Sequence, residues 1–413
     1  MKEANKVCTH IVDCINKTAP VVDFETPYKM IRTTNVKNGR INLDDARCVN
    51  EATFIKWNRR LTPQKKDIVL TREAPLGDVG LIRTSERVFL GQRTMLYRAD
   101  PSILDQHFLY YTLQGPTLQA QLKTLGSGST VEHVRVPDAE KLIIPFPPLP
   151  NQKKIAAILS AYDELIENNR RRIGLLEKMA EELYREWFVR FRFPNHQTTP
   201  FKKGIPQEWE LVKIEKAFKF LGGGTPSKNK DAYWKDGKIN WYTPSDITGS
   251  SGIFLSESKD KPNEEGLGNS SAKIFPANSI MMTSRATIGE LGINRTEACT
   301  NQGFITCIPN EQYPLPYLFF WLKQSRDYFI SLCGGATFPE ISKGTFKRIE
   351  ILTPPQDIIH QFKKLSMPIF DEIENLLLQN ATLTRTKNAL LPRLISGALS
   401  VEELEIAFPP GME

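Results

Sequence analysis

The sequence predicts an α+β fold built twice: two similar globular modules, each followed by a long helix, with pseudo-two-fold repetition. Three observations predict it. Four stretches of the first half recur in the second half at a nearly constant offset. A proline-rich exit closes each copy, and proline fixes φ and removes a donor, so it marks a boundary. A narrow apolar stripe with helical spacing follows each exit over about 40 residues.

The recurrences are collinear. Residues 70–80 (LTREAPLGDVG) match 282–292 (MTSRATIGELG), which sets Gly77 opposite Gly289 at an offset of 212. Residues 108–113 (FLYYTL) match 317–322 (YLFFWL) at 209. Residues 126–148 match 333–355 at 207, and 162–167 (YDELIE) resemble 370–375 (FDEIEN) at 208. Repetition of this kind signals a duplicated architecture. Within the modules, 238–247, 279–284 and 303–308 are short β-prone runs bounded by Gly, Pro, Asn and Ser. Residues 314–325 read as a short apolar helix whose partner lies near 107–114. Residues 22–39 (VDFETPYKMIRTTNVKNG) align with 239–249 (INWYTPSDITG), placing Asn35 opposite Asp246.

The first stripe runs through Ile155, Ile158, Tyr162, Ile166, Ile173, Leu176, Ala180, Leu183 and Trp187, with Asn169 in one slot. Pro194 stops it, and Arg190 and Arg192 suit the negative end of the helix dipole. The second runs through Phe362, Leu365, Ile369, Ile373, Leu376, Leu383, Leu390 and Leu394, with Asn380 and Lys387 in two slots and Gly397 as terminator. A helix of about 40 residues is a rod of roughly 60 Å. A stripe this narrow prefers another helix, so the two are expected to pair antiparallel as a coiled-coil spacer. Ile155, Tyr162, Asn169, Leu176, Leu183, Ile369, Leu376, Asn380, Leu383 and Leu394 are the expected packing residues, with the asparagines setting register. The competing reading packs each stripe on its own module and leaves the asparagines solvated. The expected organisation is a first module over 1–146, a helix over 147–193, a second module over 194–353, a helix over 354–400 and a tail over 401–413.

Bulk properties narrow the function. The 413 residues suit two or three domains. Hydrophobic content of 40% and charged content of 24% describe a globular chain. A net charge of +7 permits a nucleic-acid partner without requiring one. Six cysteines (Cys8, Cys14, Cys48, Cys299, Cys307, Cys333) form no C-x-x-C pair, so a zinc cluster is not expected and reduced thiols are. No apolar run approaches the ~18 residues of a membrane span. The expected location is the cytoplasm, with no membrane partner.

The stretch LGGGTPSKNK (221–230) looks like a phosphate cradle but lacks the G-x-x-x-x-G-K-[ST] spacing, and no third glycine completes G-x-G-x-x-G. No G-x-S-x-G or H-E-x-x-H occurs. DPSI (100–103) lacks the second proline and the aromatic of an adenine-methyltransferase run. The histidines His10, His107, His133, His196 and His360 are scattered. No catalytic group, metal or cofactor of the chain's own is therefore expected. The glycines are expected to make a tight turn with φ above zero.

Two similar modules on a rigid spacer make a ruler, and DNA sites on one face recur every ~34 Å. Modules that differ in detail would read a split, asymmetric target with an unread spacer. Candidate DNA contacts are Arg32, Lys37, Asn38, Arg40, Arg72 and Ser129 in the first module. In the second they are Lys228, Lys230, Tyr242, Arg285, Lys343 and Lys347. Lysine and arginine anchor phosphates, and Arg and Asn can pair with base edges. The alternative for each is a solvated face.

Residues 147–191 (PPLPNQKKIAAILSAYDELIENNRRRIGLLEKMAEELYREWFVRF) and 390–399 (LLPRLISGAL) resemble the central and C-terminal conserved regions of the specificity subunit of type I restriction–modification systems. Residues 206–214 (PQEWELVKI) with 222–247 resemble the opening of that family's second target recognition domain. The resemblance covers nearly the whole chain after about residue 20. It implies a subunit that binds double-stranded DNA through two target recognition domains and supplies no catalytic group. It implies two modification subunits, each an S-adenosylmethionine-dependent adenine-N6 methyltransferase, and restriction subunits using ATP and Mg2+. It implies that the helices fix the spacer and dock the methyltransferases. The first module departs from the pattern by lacking a clear GGGTPS opening. The competing classes are a coiled-coil scaffold, a specificity subunit of a methylation-only system, and a self-contained enzyme.

Overall fold

A computed structural model describes residues 1–126, 132–250, 252–334 and 339–409. The chain divides into two compact units, Met1–Glu167 with Ala381–Glu413, and Asn168–Asn380.

The first unit holds β1 (Cys8–Asp13), β2 (Tyr28–Ile31), β3 (Ile68–Arg72), β4 (Leu76–Leu81), β5 (Arg87–Leu90), β6 (Thr94–Ala99) and α1 (Gln106–Gln114). β1, β6, β3 and β4 form one antiparallel sheet in that order, while β2 and β5 pair in parallel beside it. Ile68 to Thr71 of β3 are all buried, as a central strand covered on both faces requires. Asp105 caps α1 by accepting from Phe108 N at 2.8 Å. The buried face of α1, with Phe108, Leu109, Tyr111 and Leu113, joins the core under the sheet.

A long helix, α2 (Leu149–Tyr184), starts in this unit and ends in a π turn over Arg185–Val189. The second unit then repeats the order: β7 (Lys219–Gly222), β8 (Asn240–Tyr242), β9 (Phe254–Leu255), β10 (Ile280–Thr283), β11 (Leu291–Asn294), β12 (Ala298–Thr300), β13 (Phe304–Ile308) and α3 (Leu315–Gln324). Its sheet runs β7-β13-β10-β11-β9, and β8 pairs with β12 in parallel. The second long helix is α4 (Gln356–Ile395); Gly397 ends it at φ +78°.

Each unit contains an antiparallel segment of the helix pair. In the first, Ile155, Ala156 and Leu159 share a core with Leu391, Leu394 and Ile395. Lys387 Nζ donates to Asp163 Oδ1 at 2.7 Å, and both side chains are nearly buried. In the second, Ile173 packs with Ile373 and Leu376. Asn169 Nδ2 donates to Asn380 Oδ1 at 3.1 Å. Of the other stripe residues, Ile158, Tyr162, Leu176, Leu183, Ile369, Leu383 and Leu390 are half-buried, and Ile166, Ala180, Trp187 and Phe362 are buried. Leu365 corrects the sequence reading. It is 51% exposed, and buried Ser366 takes the inward slot, donating to Phe362 O at 2.8 Å. Stripe spacing of three or four admits either neighbour, and packing chose the smaller one.

Candidate nucleic-acid interface

Equivalent loops meet at one rim of each module. In the first module, Arg72 N donates to Arg93 O at 2.8 Å, tying the β3–β4 turn to the β5–β6 turn. In the second, Ser284 N donates to Gly303 O at 2.8 Å, joining the β10–β11 turn to the β12–β13 turn. Thr71 Oγ1 accepts from Asp78 N, and Thr283 Oγ1 from Glu290 N, both at 2.9 Å. Gly77 and Gly289 have φ of +91° and +85°. The preceding Ala74 and Ala286 are also left-handed, at +49° and +58°. A left-handed alanine costs on the order of 1 kcal/mol. Both modules bear the same cost at the same place, so the two turns follow the same backbone path.

The strand-to-turn step after β2 and β8 is also shared. Asn35 Oδ1 accepts from Arg32 N at 2.9 Å, and Asp246 Oδ2 accepts from Thr243 N at 2.7 Å. These matching side-chain caps place Asn35 opposite Asp246, the pairing that the sequence alignment gives. Gly91 N donates to Ile31 O and Asn301 N to Tyr242 O, so Arg32 lies beside the β5–β6 turn. The Arg32 guanidinium donates to Asp45 O at 3.4 Å, while its buried Nε has no partner among the described residues.

The first module has no GGGTPS, but it has an opening loop at the matching place. Met95 stands opposite Asp13 on β1, as Ile305 stands opposite Gly222 on β7. β1 is therefore the counterpart of β7, and INKTAP (15–20) holds the place of GGGTPS. The glycines differ from expectation too, since none of Gly222, Gly223 and Gly224 has positive φ. What they supply is close approach. A Cβ on Gly223 would lie 1.9 Å from Asn301 O, and one on Gly224 2.3 Å from Ser271 Oγ.

The candidate residues separate into groups. Arg32, Arg72, Arg285 and Lys343 stand at the rims. Arg72 donates to Val134 O at 3.4 Å, and the Lys343 side chain crosses Gly222. Arg285 pairs with Glu340 at 2.9 Å across a β-bridge. The equivalent bridge in the first module joins Glu73 to His133, and Glu73 pairs with Arg93 at 3.3 Å. The same position thus carries opposite charge in the two modules. Lys37, Asn38 and Arg40 lie elsewhere, in a hairpin whose Gly39 bridges Gly80 near the far end of β4. Asn38 and Gly39 make its turn at φ +52° and +76°, and Arg40 pairs with Glu167 of α2 at 2.9 Å. Lys228 pairs with Asp260 at 2.6 Å and sits 3.8 Å from the Trp234 ring centroid and 4.7 Å from that of Trp241. Lys230 donates to Tyr233 Oη at 3.1 Å. Lys347 is exposed one turn beyond Lys343. Tyr242 is a correction: it is fully buried and its hydroxyl donates to Leu255 O at 3.2 Å, so it is core and cannot face a duplex. Ser129 lies outside the described residues.

Sequence reasoning missed one pair per module. Thr18 Oγ1 donates to Gln92 Oε1 at 3.2 Å, and Thr225 Oγ1 to Gln302 Oε1 at 2.6 Å. The only signal is a shared Gln just before the last rim strand and a shared Thr in the opening loop. Among the described residues, no group of His, Cys, Asp and Glu is placed to hold a metal ion. Among the described residues, no helix is long and apolar enough to cross a membrane.

Among the described residues the rims combine basic side chains (Arg72, Arg93, Arg285, Lys343), the carboxylates Glu73 and Glu340, and the amides of Gln92 and Gln302 on matching backbone. The model of the type I restriction modification DNA specificity domain matches residues 14–178 and 206–390, one match per module. The chain belongs to this family. It is 29% identical over 370 residues to the Methanocaldococcus jannaschii type I restriction enzyme MjaIX specificity subunit, covering 87% of this chain and 83% of that one. It is 24% identical over 370 residues to the HindI specificity subunit of Haemophilus influenzae, covering 74% and 80%. The crystal structure of the S subunit from M. genitalium shares the fold, with a TM-score of 0.55 over 95% of each chain at 17% identity. As a type I specificity subunit the chain serves DNA sequence recognition, through two tandem recognition domains, and is a non-catalytic member of its system.

Proposed function

We propose that each module reads one half of a bipartite, asymmetric DNA site through its rim, and that α2 and α4 fix the unread spacer. The observation that carries this is the rim itself. It is built twice on equivalent backbone, yet its bridge position carries Glu73 in one copy and Arg285 in the other. The same frame with different charge presents the same geometry to DNA and prefers different sequence, because backbone contacts position while base-edge contacts specify.

The helices supply the docking surfaces for two methyltransferase subunits. Leu165 of the first unit and Leu175, Met179, Leu365 and Leu378 of the second are at least half exposed, a density of apolar side chains that favours a protein partner. The chain binds no cofactor itself; its partners use S-adenosylmethionine, ATP and Mg2+. Six free cysteines suit a reducing cytosol. The test is a module swap. Replacing residues 205–352 by the corresponding module of a relative, in the assembled methyltransferase, changes one half-site and leaves the other and the spacer intact. A change in both halves refutes the proposal.

A further inference from the structure

We propose that Gln92 and Gln302 are equivalent phosphate anchors, one per module, each held ready for DNA by a threonine from the opening loop. The inference rests on the rim reading above and adds residues and a role to it. Both glutamines stand three residues before the strand position that pairs with the end of the opening strand: Met95 opposite Asp13, Ile305 opposite Gly222. Both follow the strand that pairs in parallel with β2 or β8. Both accept from a threonine hydroxyl through Oε1.

Around this pair the two copies diverge. The glutamine sits in GQR in one and NQG in the other, and the threonine in NKTAP and GGTPS. The opening loop is two residues longer in the first copy between Asp13 and Thr18 than between Gly222 and Thr225. Yet the threonine returns to the same glutamine. The buried residue after it, Ala19 or Pro226, pins the loop in both.

The hydrogen bond has a chemical consequence. An amide has one acceptor end and one donor end. A threonine O–H on Oε1 fixes the amide rotation and leaves the two Nε2 hydrogens to point elsewhere. Among the described residues, neither Nε2 donates to a protein group. The cations nearby are engaged: Arg93 with Glu73, Arg285 with Glu340. A fixed, neutral, unspent N–H2 group at the rim suits an anionic oxygen, and glutamine donors to phosphate are an ordinary part of protein–DNA interfaces. The choice of phosphate over base edge follows from the repetition. Two half-sites of different sequence share their backbone, so a contact kept identical in both modules belongs to what the half-sites have in common.

The test uses Gln92→Glu and Gln302→Glu in the assembled complex of this chain with its methyltransferase subunits. Glutamate keeps the length and the acceptor for threonine, so the rim stays folded, but the donor becomes an anion facing phosphate. The probes are a 30-base-pair duplex of the mapped site and one of unrelated sequence, with circular dichroism as the folding check. Each single change is expected to weaken binding to both duplexes by about tenfold or more, with the methylated sequence unchanged. Gln→Ala in place of Glu weakens both by less. Affinity within twofold of wild type overturns the proposal, as does a loss confined to the specific duplex with altered base preference at one position, which makes the glutamine a base reader. Failure of the wild-type complex to prefer the mapped site would instead sink the underlying reading of the rims.

Discussion

Lys387 offers the sharpest stability prediction. Its ammonium meets Asp163 at 2.7 Å, and the two side chains are 11% and 12% exposed. Asp163 also accepts from Tyr111 Oη at 2.8 Å and from Arg83 at 3.3 Å. Breaking a buried pair by removing one partner typically costs about 3–5 kcal/mol, because an uncompensated charge stays behind. Here Lys387→Met leaves the carboxylate two donors, which reduces the expected cost to about 2–3 kcal/mol. Adding Asp163→Asn removes the stranded charge while keeping an acceptor for Tyr111. The double variant should therefore recover most of that loss, to within about 1 kcal/mol of wild type. Because the chain has two units, a global melt is not two-state. Hydrogen exchange read by peptide is the suitable assay. Lys387→Met should lose protection in peptides from 149–167 and 381–395, while peptides from 168–184 and 356–376 keep theirs. Equal loss in both units, or a double variant as unstable as the sum of the singles, would refute the buried-pair account.

Other outcomes follow from the same geometry. Gly223→Ala forces a Cβ to within 1.9 Å of Asn301 O; overpacking of this kind costs about 1–3 kcal/mol, and methylation should fail at the second half-site first. Arg285→Ala should change preference in one half-site only, checked by methylation mapping; unchanged preference in both would remove Arg285 from readout. Deleting four residues, about one helical turn, from 166–180 should alter the spacer and leave both half-sites. In alkylation at pH about 8, Cys299, whose thiol burial pushes up to about 12, should stay unlabelled until urea unfolds it; half-buried Cys48 should label first.

The doubled fold was legible because its signals are local. Gly77 and Gly289 are needed wherever the hairpin turns left-handed, and the apolar stripes repeat every three or four residues whatever they pack on. Asn35 opposite Asp246 was legible because a cap fixes both residue type and spacing. The rims were less so. The first opening loop was hidden because INKTAP reaches by a longer path the place GGGTPS reaches with glycines, and the equivalence shows only in the strand register and the Thr–Gln bond. Tyr242 stood among the candidates beside lysines, since a parallel strand of three residues, buried throughout, gives no alternation from which to tell inside from outside. Lys37, Asn38 and Arg40 stood as candidate contacts by residue type, but no sequence pattern tells that Gly39 bridges Gly80 and holds their hairpin away from the rim.

The central claim, one half-site per module across an unread spacer, is tested most directly by mapping methylated adenines in the host genome with and without the 205–352 swap. Two short specific runs separated by a spacer of constant length are expected, with one run replaced on swapping and the other retained. A single contiguous site, or a swap that rewrites both runs, would contradict it.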